Sequence, residues 1–246
     1  MVENSQCFET PAILDAEYRP AALPEHAGNP LIEALPAFKL GRELTHEFGV
    51  FPSISADELK LPPADRMLVV SRLNDFLQPL PSHASIIEKI GLIVRAGYVH
   101  RNPLDENYRK SLARFYHEAM EGKVSPIRAS SPSTAPSWAL FGVSGVGKTI
   151  VIERSLSLLP QVLNHRKYQF MQVVWIKLDC PMDGSLKQLL NSLLAKLDGL
   201  RGTSYIRSVS GSRTTIDELI GEVDAYLRAT ESSSDPITHV ERRGAA

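Results

Sequence analysis

The chain has 246 residues and an apolar fraction of 43%, enough for one large domain or one domain with an appended segment, and ordinary for a globular protein. A formal charge of −1 and a pI near 6.7 carry no global sign of nucleic-acid binding, and no stretch approaches the ~20 apolar residues of a membrane span. Two cysteines, Cys7 and Cys180, fit neither a disulfide framework nor a CxxC metal site, and Met1-Val-Glu-Asn does not open a secretory signal; a soluble chain with free thiols in a reducing cytoplasm is expected.

Charge is uneven along the chain. Residues 1–37 carry six acids against Arg19 alone, a net of −5, whereas 148–178 carry Lys148, Arg154, Arg166, Lys167 and Lys177 against Glu153, a net of +4. Residues 1–63 hold eight prolines, which predicts an extended arm with short turns. Within it, Leu31-Ile-Glu-Ala-Leu35 lies between two prolines and suits a brief helical turn, either covering the body or docking on a neighbouring subunit.

A helical segment and linker are predicted over 64–137. Its first helix, Ala64 to about Leu77, carries Met67, Val70, Leu73 and Leu77 on one face; the second, Ser85 to Ala96, opens on the capping box Ser85-x-x-Glu88 with Ile86, Ile90 and Ile93 in register. Asp105 suits the N-cap of a third, striped by Tyr108, Leu112, Phe115 and Ala119. These stripes suggest a helical core packed on the domain that follows. Between the last two helices, Arg95, His100 and Arg101 lie near Tyr98, either a solvated face or a nucleotide-base or DNA contact. Residues 122–137 are rich in Ser and Pro and read as a connection.

Residues 142–149 then give the spacing G-x-x-x-x-G-K-[ST]: Gly142, Val143, Ser144, Gly145, Val146, Gly147, Lys148 and Thr149. A triphosphate spreads its charge over small oxygens, so a protein holding one needs several backbone N–H groups converging where side chains would obstruct. The three glycines remove that obstruction. Lys148 can reach the β- and γ-phosphates, Thr149 can offer its hydroxyl to Mg²⁺, and a helix starting near Gly147 points its positive end at the phosphates. Trp138-Ala-Leu-Phe141 before the loop suits a buried strand, and Ile150 to Leu159 suit a helix ended by Pro160. Mg·NTP is the implied ligand.

Further on, Gln172 to Asp179 predicts a second buried strand, Ser185 to Leu197 a helix with a broad leucine face, and Thr215-x-x-Glu218 the capped start of a helix bearing Ile216, Leu219, Ile220, Val223 and Leu227. Residues 138–229 thus read as a partial P-loop nucleotide core of α/β class, and 230–246 as a polar tail.

Four blocks resemble the AAA+ transposition ATPases of the TniB and TnsC kind, which serve bacterial mobile elements: GNPLIEALP from Gly28, RAGYVHRNP from Arg95, FGVSGVGKTIVIERSLSLLPQVLNH from Phe141, and QVVWIKLDCPMDGSLKQLL from Gln172, the last followed by Gly202-Thr203-Ser204-Tyr205. The resemblance implies an AAA+-like core with the ATP site on Gly142 to Thr149. It also implies a homo-oligomer on target DNA that recruits and activates a transposase. Any DNA contact would use the cations Arg101, Arg166, Lys167 and Lys177.

Hydrolysis in such a family needs a later strand ending in Asp-Glu, with sensor and arginine-finger residues beyond it. Asp217-Glu218 follows no apolar strand and reads as helix N-terminal charge, so a truncated core with hydrolysis absent or slow is expected. The alternatives are a non-catalytic nucleotide-binding interaction module and a small-molecule kinase. The kinase lacks support, since Lys187, Lys196 and Arg201 do not form an arginine-rich lid.

Overall fold

A computed structural model of the chain describes residues 13–120, 136–209 and 214–230. The expected linker over 122–135, the polar tail and Cys7 lie outside the described residues. In chain order the elements are β1 (Ile13–Asp15), α1 (Pro30–Glu33), α2 (Gly41–Phe48), a 3₁₀ turn (Glu58–Lys60), α3 (Pro63–Val70), a second 3₁₀ stretch (Ser71–Asp75), α4 (Pro81–Tyr98) and α5 (Glu106–Met120). They continue with α6 (Lys148–Ser157), β2 (Val162–His165), β3 (Phe170–Val173), α7 (Leu186–Arg201), α8 (Ile206–Val209) and α9 (Ile216–Thr230). This is a mixed α/β chain divided into two compact units.

The first unit takes the described residues of Met1–Pro36, Val94–Pro136 and Leu159–Ala246. Its sheet has three strands in the order β1-β2-β3, with β1 parallel to β2 and β2 antiparallel to β3. A β-strand needs a partner for its N–H and C=O groups, and this decides the strand bounds. Residues 172–179 were expected as one run, but the ladder ends at the pair Val162↔Val173, one step after which the Val174 N–H reaches the Gln161 carbonyl at 2.9 Å. Pro160 stands just before that point, so β2 supplies no further partner and 174–179 leave the ladder.

The antiparallel pair is closed by Arg166 to Gln169, with Gln169 in the left-handed region at φ 58. The strand β2 was not foreseen, because Val162 to His165 is short and abuts the helix before it. Nor was β1, which lies in the arm read as extended.

Over this sheet α1 covers the core. Asn29 caps it, its Oδ1 accepting from the Leu31 N–H at 3.1 Å while its Nδ2 donates to the Tyr98 carbonyl at 2.8 Å. Leu31, Ile32, Ala34 and Leu35 bury against Tyr98, Leu163 and Phe170, so the proline-bracketed turn covers this unit's core. Beneath it runs a buried polar chain. The Tyr18 hydroxyl meets His165 Nδ1 at 2.9 Å, His165 Nε2 meets Gln172 Oε1 at 2.9 Å, and Gln172 Nε2 donates to the Leu31 carbonyl at 3.0 Å. That last bond turns the Gln172 oxygen toward the imidazole, so His165 Nε2 carries the proton and Nδ1 accepts from Tyr18.

Burial pushes the His165 imidazole below its ordinary value, partly opposed by the Gln172 bond. Unfolded chain therefore binds a proton more readily than folded chain. Stability should be full above the ordinary histidine range and fall as pH drops from about 6.5 through the lower folded value. Thermal melts between pH 7.5 and 5 should show this slope in wild type and a flatter one in His165→Gln; parallel slopes would refute the assignment.

The other helical layer of the first unit is formed by α7, α8 and α9. The expectations for α7 and α9 are met. Ser185 caps α7 by accepting from the Gln188 N–H at 3.3 Å, and α9 opens on a reciprocal box, Thr215 N–H to Glu218 Oε2 at 2.8 Å and Glu218 N–H to Thr215 Oγ1 at 3.3 Å. Leu194, Leu197, Leu219, Val223 and Tyr226 interlock between the two helices. Asp105 likewise caps α5, its Oδ1 accepting from the N–H groups of Asn107 and Tyr108 at 2.7 and 3.1 Å. Of the α5 stripe, Leu112 is buried and Tyr108 half-buried, while the side chains of Phe115 and Ala119 lie outside the described set.

The second unit takes Ala37–Ile93 and Ser137–Leu158. Its core gathers Leu44 and Phe48 of α2, Ile87 of α4 and Val151 of α6. Three expectations fail here. The first predicted helix stops at Val70 and continues as a 3₁₀ stretch, and Met67, Val70 and Leu73 lie exposed rather than in a core. The second starts at Pro81, four residues ahead of its expected cap, because proline suits a helix's first turn; Glu88 instead accepts from the Gly41 N–H at 3.2 Å. Trp138 to Phe141 is not a strand. Among the described residues of this unit no strand is present to pair with it, and Phe141 is 90% exposed. Among the described residues, no helix is long and apolar enough to cross a membrane.

Candidate nucleotide-binding site

The loop from Gly142 to Lys148 runs over the surface of the second unit and ends in α6. Two of its glycines are required by the backbone. Gly145 sits at φ 80, and Gly147, the N-cap of α6, at φ 85 and ψ 14, a region that side-chain-bearing residues enter at a cost. Gly142 answers to space instead: a Cβ there would lie 3.3 Å from Val146 Cγ1, tight enough to press on the turn.

Lys148 is the first residue of α6, yet its side chain folds back over the loop. Its Nζ donates to the carbonyl oxygens of Gly142 at 2.9 Å and Val143 at 2.7 Å. The ammonium thus stands across the loop's mouth, held by two neutral oxygens, where a polyphosphate would offer charged ones. Thr149, one residue further, is exposed. The helix behind adds the positive end of its dipole to the same point.

These features fit a nucleotide. The loop is bare of side chains at Gly142, Gly145 and Gly147, its one cation is aimed across it, and its exposed residues leave the approach open. The residues that would hold ATP are 142–149, with Thr149 offering its hydroxyl to Mg²⁺. Among the described residues no group of three or more His, Cys, Asp or Glu could hold a metal ion.

The back of α6 is seated by an apolar residue of the expected helix and by a contact of Arg154 that spacing does not reveal. Val151 and Ser155 are buried, and Arg154 reaches α2, its Nε donating to the Phe48 carbonyl at 3.2 Å and an Nη to the Glu47 carbonyl at 3.3 Å. In the sequence Arg154 was one basic charge among five, with no spacing that marks a helix-end contact.

The four cations expected to face DNA all lie in the first unit. Arg166 and Lys167 occupy the β2–β3 turn. Arg166 Nε pairs with Asp15 Oδ1 at 2.8 Å across an exposed surface, and Lys167 Nζ stands 5.1 Å from the centre of the Tyr168 ring. Lys177 is exposed on the irregular segment after β3, and Arg101 is exposed just past α4. The phosphate loop lies in the second unit, so segment 138–229 is shared between the two.

The acidic pair Asp217-Glu218 sits in the first turn of α9, as expected. Bonds from the Thr215 N–H and hydroxyl hold the Glu218 carboxyl below its usual range, which marks it as a helix cap.

No curated protein matches the chain. Residues 130–240 match a family model described as an AAA domain, that of AAA-type P-loop ATPases, and the matched residues contain the whole loop from Gly142 to Thr149 together with α6, α7 and α9. On this match and the loop's geometry, the segment is similar to an AAA-type P-loop nucleotide-binding domain.

Proposed function

We propose that this protein is an ATP-binding regulator of DNA transposition, which holds Mg·ATP at 142–149, associates with further copies of itself on target DNA and engages a transposase. The observation that carries the nucleotide part is the glycine-shaped loop with Lys148 Nζ turned across it, joined to the AAA-domain match. The transposition part rests on the four sequence blocks that resemble the TniB and TnsC kind, of which only the phosphate loop is widely shared among ATPases.

Binding without appreciable turnover is part of the reading. The acidic pair after the loop is engaged in capping α9, where Glu218 accepts from Thr215 and so is occupied away from any water-activating role. Phosphate release from purified chain should match that of Lys148→Ala; magnesium-dependent release above it would require another acid.

DNA contact is tested by salt. Duplex affinity of the ATP-loaded protein should fall as salt rises, with a log–log slope of about −3.6 if the four cations each neutralise one phosphate. Arg166→Ala/Lys167→Ala should flatten that slope, whereas undetectable or salt-independent binding would remove DNA from the proposal.

A further inference from the structure

We propose that Arg154 is a positioning residue for the phosphate loop: by tying α6 to the last carbonyls of α2, it lets a segment of the N-terminal arm set the attitude of the loop. The inference rests on the nucleotide reading for its consequence, though not for its geometry.

A phosphate loop works only if the N–H groups that meet the phosphates are held in one arrangement, which requires the helix behind it to be fixed. Here α6 has no strand running into it. The residues before the loop, 136–141, carry no regular structure, and Phe141 and Val143 are largely exposed. What fixes α6 is its far side. Val151 packs with Leu44, Phe48 and Ile87, and Arg154, one turn further, caps α2 with two hydrogen bonds from one guanidinium. The final carbonyls of a helix have no partner within it and carry its negative end, so a cation there is held by both donors and dipole.

Phe48 joins the two contacts. It is fully buried, its ring lies with Val151 in one core, and its carbonyl receives Arg154 Nε. Rotation or withdrawal of α2 would therefore carry α6 with it. Because Lys148 lies six residues before Arg154 on the same rigid helix, any tilt at Arg154 moves the Lys148 Cα and the Gly147 cap against Gly142 and Val143. The arm residues 41–48 thus act on nucleotide affinity without touching the nucleotide.

Two measurements test this. In nucleotide-free protein, hydrogen exchange of peptides covering 142–151 should speed up about tenfold in Arg154→Ala, while peptides covering α9 in the other unit stay unchanged. In titrations with a labelled ATP analogue, Arg154→Ala should bind about tenfold more weakly, as loss of charge-assisted bonds to carbonyls would give, and Arg154→Lys, which keeps the charge and can reach one carbonyl, should recover most of the loss. A purely structural Arg154 would lower the melting temperature yet leave affinity and loop exchange, measured well below the melt, at wild-type values; that result overturns the proposal. If exchange responds while wild type and Lys148→Ala bind the analogue equally, the nucleotide reading fails and the positioning of the loop stands.

Discussion

Lys148→Ala should weaken binding of a labelled ATP analogue by about a hundredfold and leave the fold intact. The loss follows from charge: an ammonium facing a polyphosphate makes charge-assisted hydrogen bonds, each carrying about 1.5–3 kcal/mol, and no other side chain of 142–149 is cationic. The fold should survive because Lys148 is the first residue of α6, where alanine is an excellent helix former, and its present bonds run to carbonyls that water can satisfy. Lys148→Arg should bind weakly too, since a planar fork cannot occupy the point between Gly142 and Val143 that the ammonium takes. Thr149→Ala should cost less and chiefly reduce the gain in affinity that magnesium gives. Isothermal titration with and without magnesium reads all three; equal affinity in wild type and Lys148→Ala would remove the loop as the nucleotide site.

The loop was legible because its constraints are local. Glycine at 145 and 147 is demanded by the sign of φ, and the run from Gly142 to Thr149 is contiguous, so spacing alone carries it. The same holds for the caps at Asp105 and Thr215, each satisfied by residues two or three positions away. What spacing could not show is pairing. Trp138 to Phe141 has the composition of a strand, but a strand exists only through its neighbour. Conversely, β1 is a strand because Ile13 to Asp15 lie opposite Val162 to Asn164, about 150 positions away in sequence. Arg154 was missed for the same reason, since its partners lie 106 and 107 residues distant on a helix hidden in a proline-rich arm. The capping box at Ser85 failed because it competed with Pro81, and its Glu88 found the Gly41 N–H.

Asp198→Ala should destabilise the first unit by about 3 kcal/mol, among the largest effects of any single substitution in it, because it orphans donors from three elements at once. Asp198 is 5% exposed near the end of α7. Its Oδ1 accepts from the Thr203 hydroxyl at 2.6 Å and the Tyr226 hydroxyl at 2.8 Å, and its Oδ2 from the Ile206 N–H at 2.8 Å, so one carboxylate joins the turn after α7 to the start of α8 and to the middle of α9. Burial alone would raise its pKa, but these donors together outweigh burial and hold the carboxyl below its usual range. Tyr226, desolvated beside that charge, is pushed up to about 12 and so keeps the proton it donates. Without the carboxylate, the Thr203 and Tyr226 hydroxyls, 2.5 Å apart, can satisfy only one of their two hydrogens on each other, and the other hydroxyl hydrogen and the Ile206 N–H must either reach water through a packed core or stay unsatisfied. Asp198→Asn keeps one acceptor oxygen and should cost roughly a third as much. Since the folded carboxyl is more acidic than the unfolded one, the contribution is full above the ordinary carboxylate range and fades as pH falls through the folded value; wild type should lose it in acid and Asp198→Ala should have none to lose. Urea unfolding at pH 7 and at pH 3 measures both, and a pH 7 difference under about 0.5 kcal/mol would show that water already satisfies these donors.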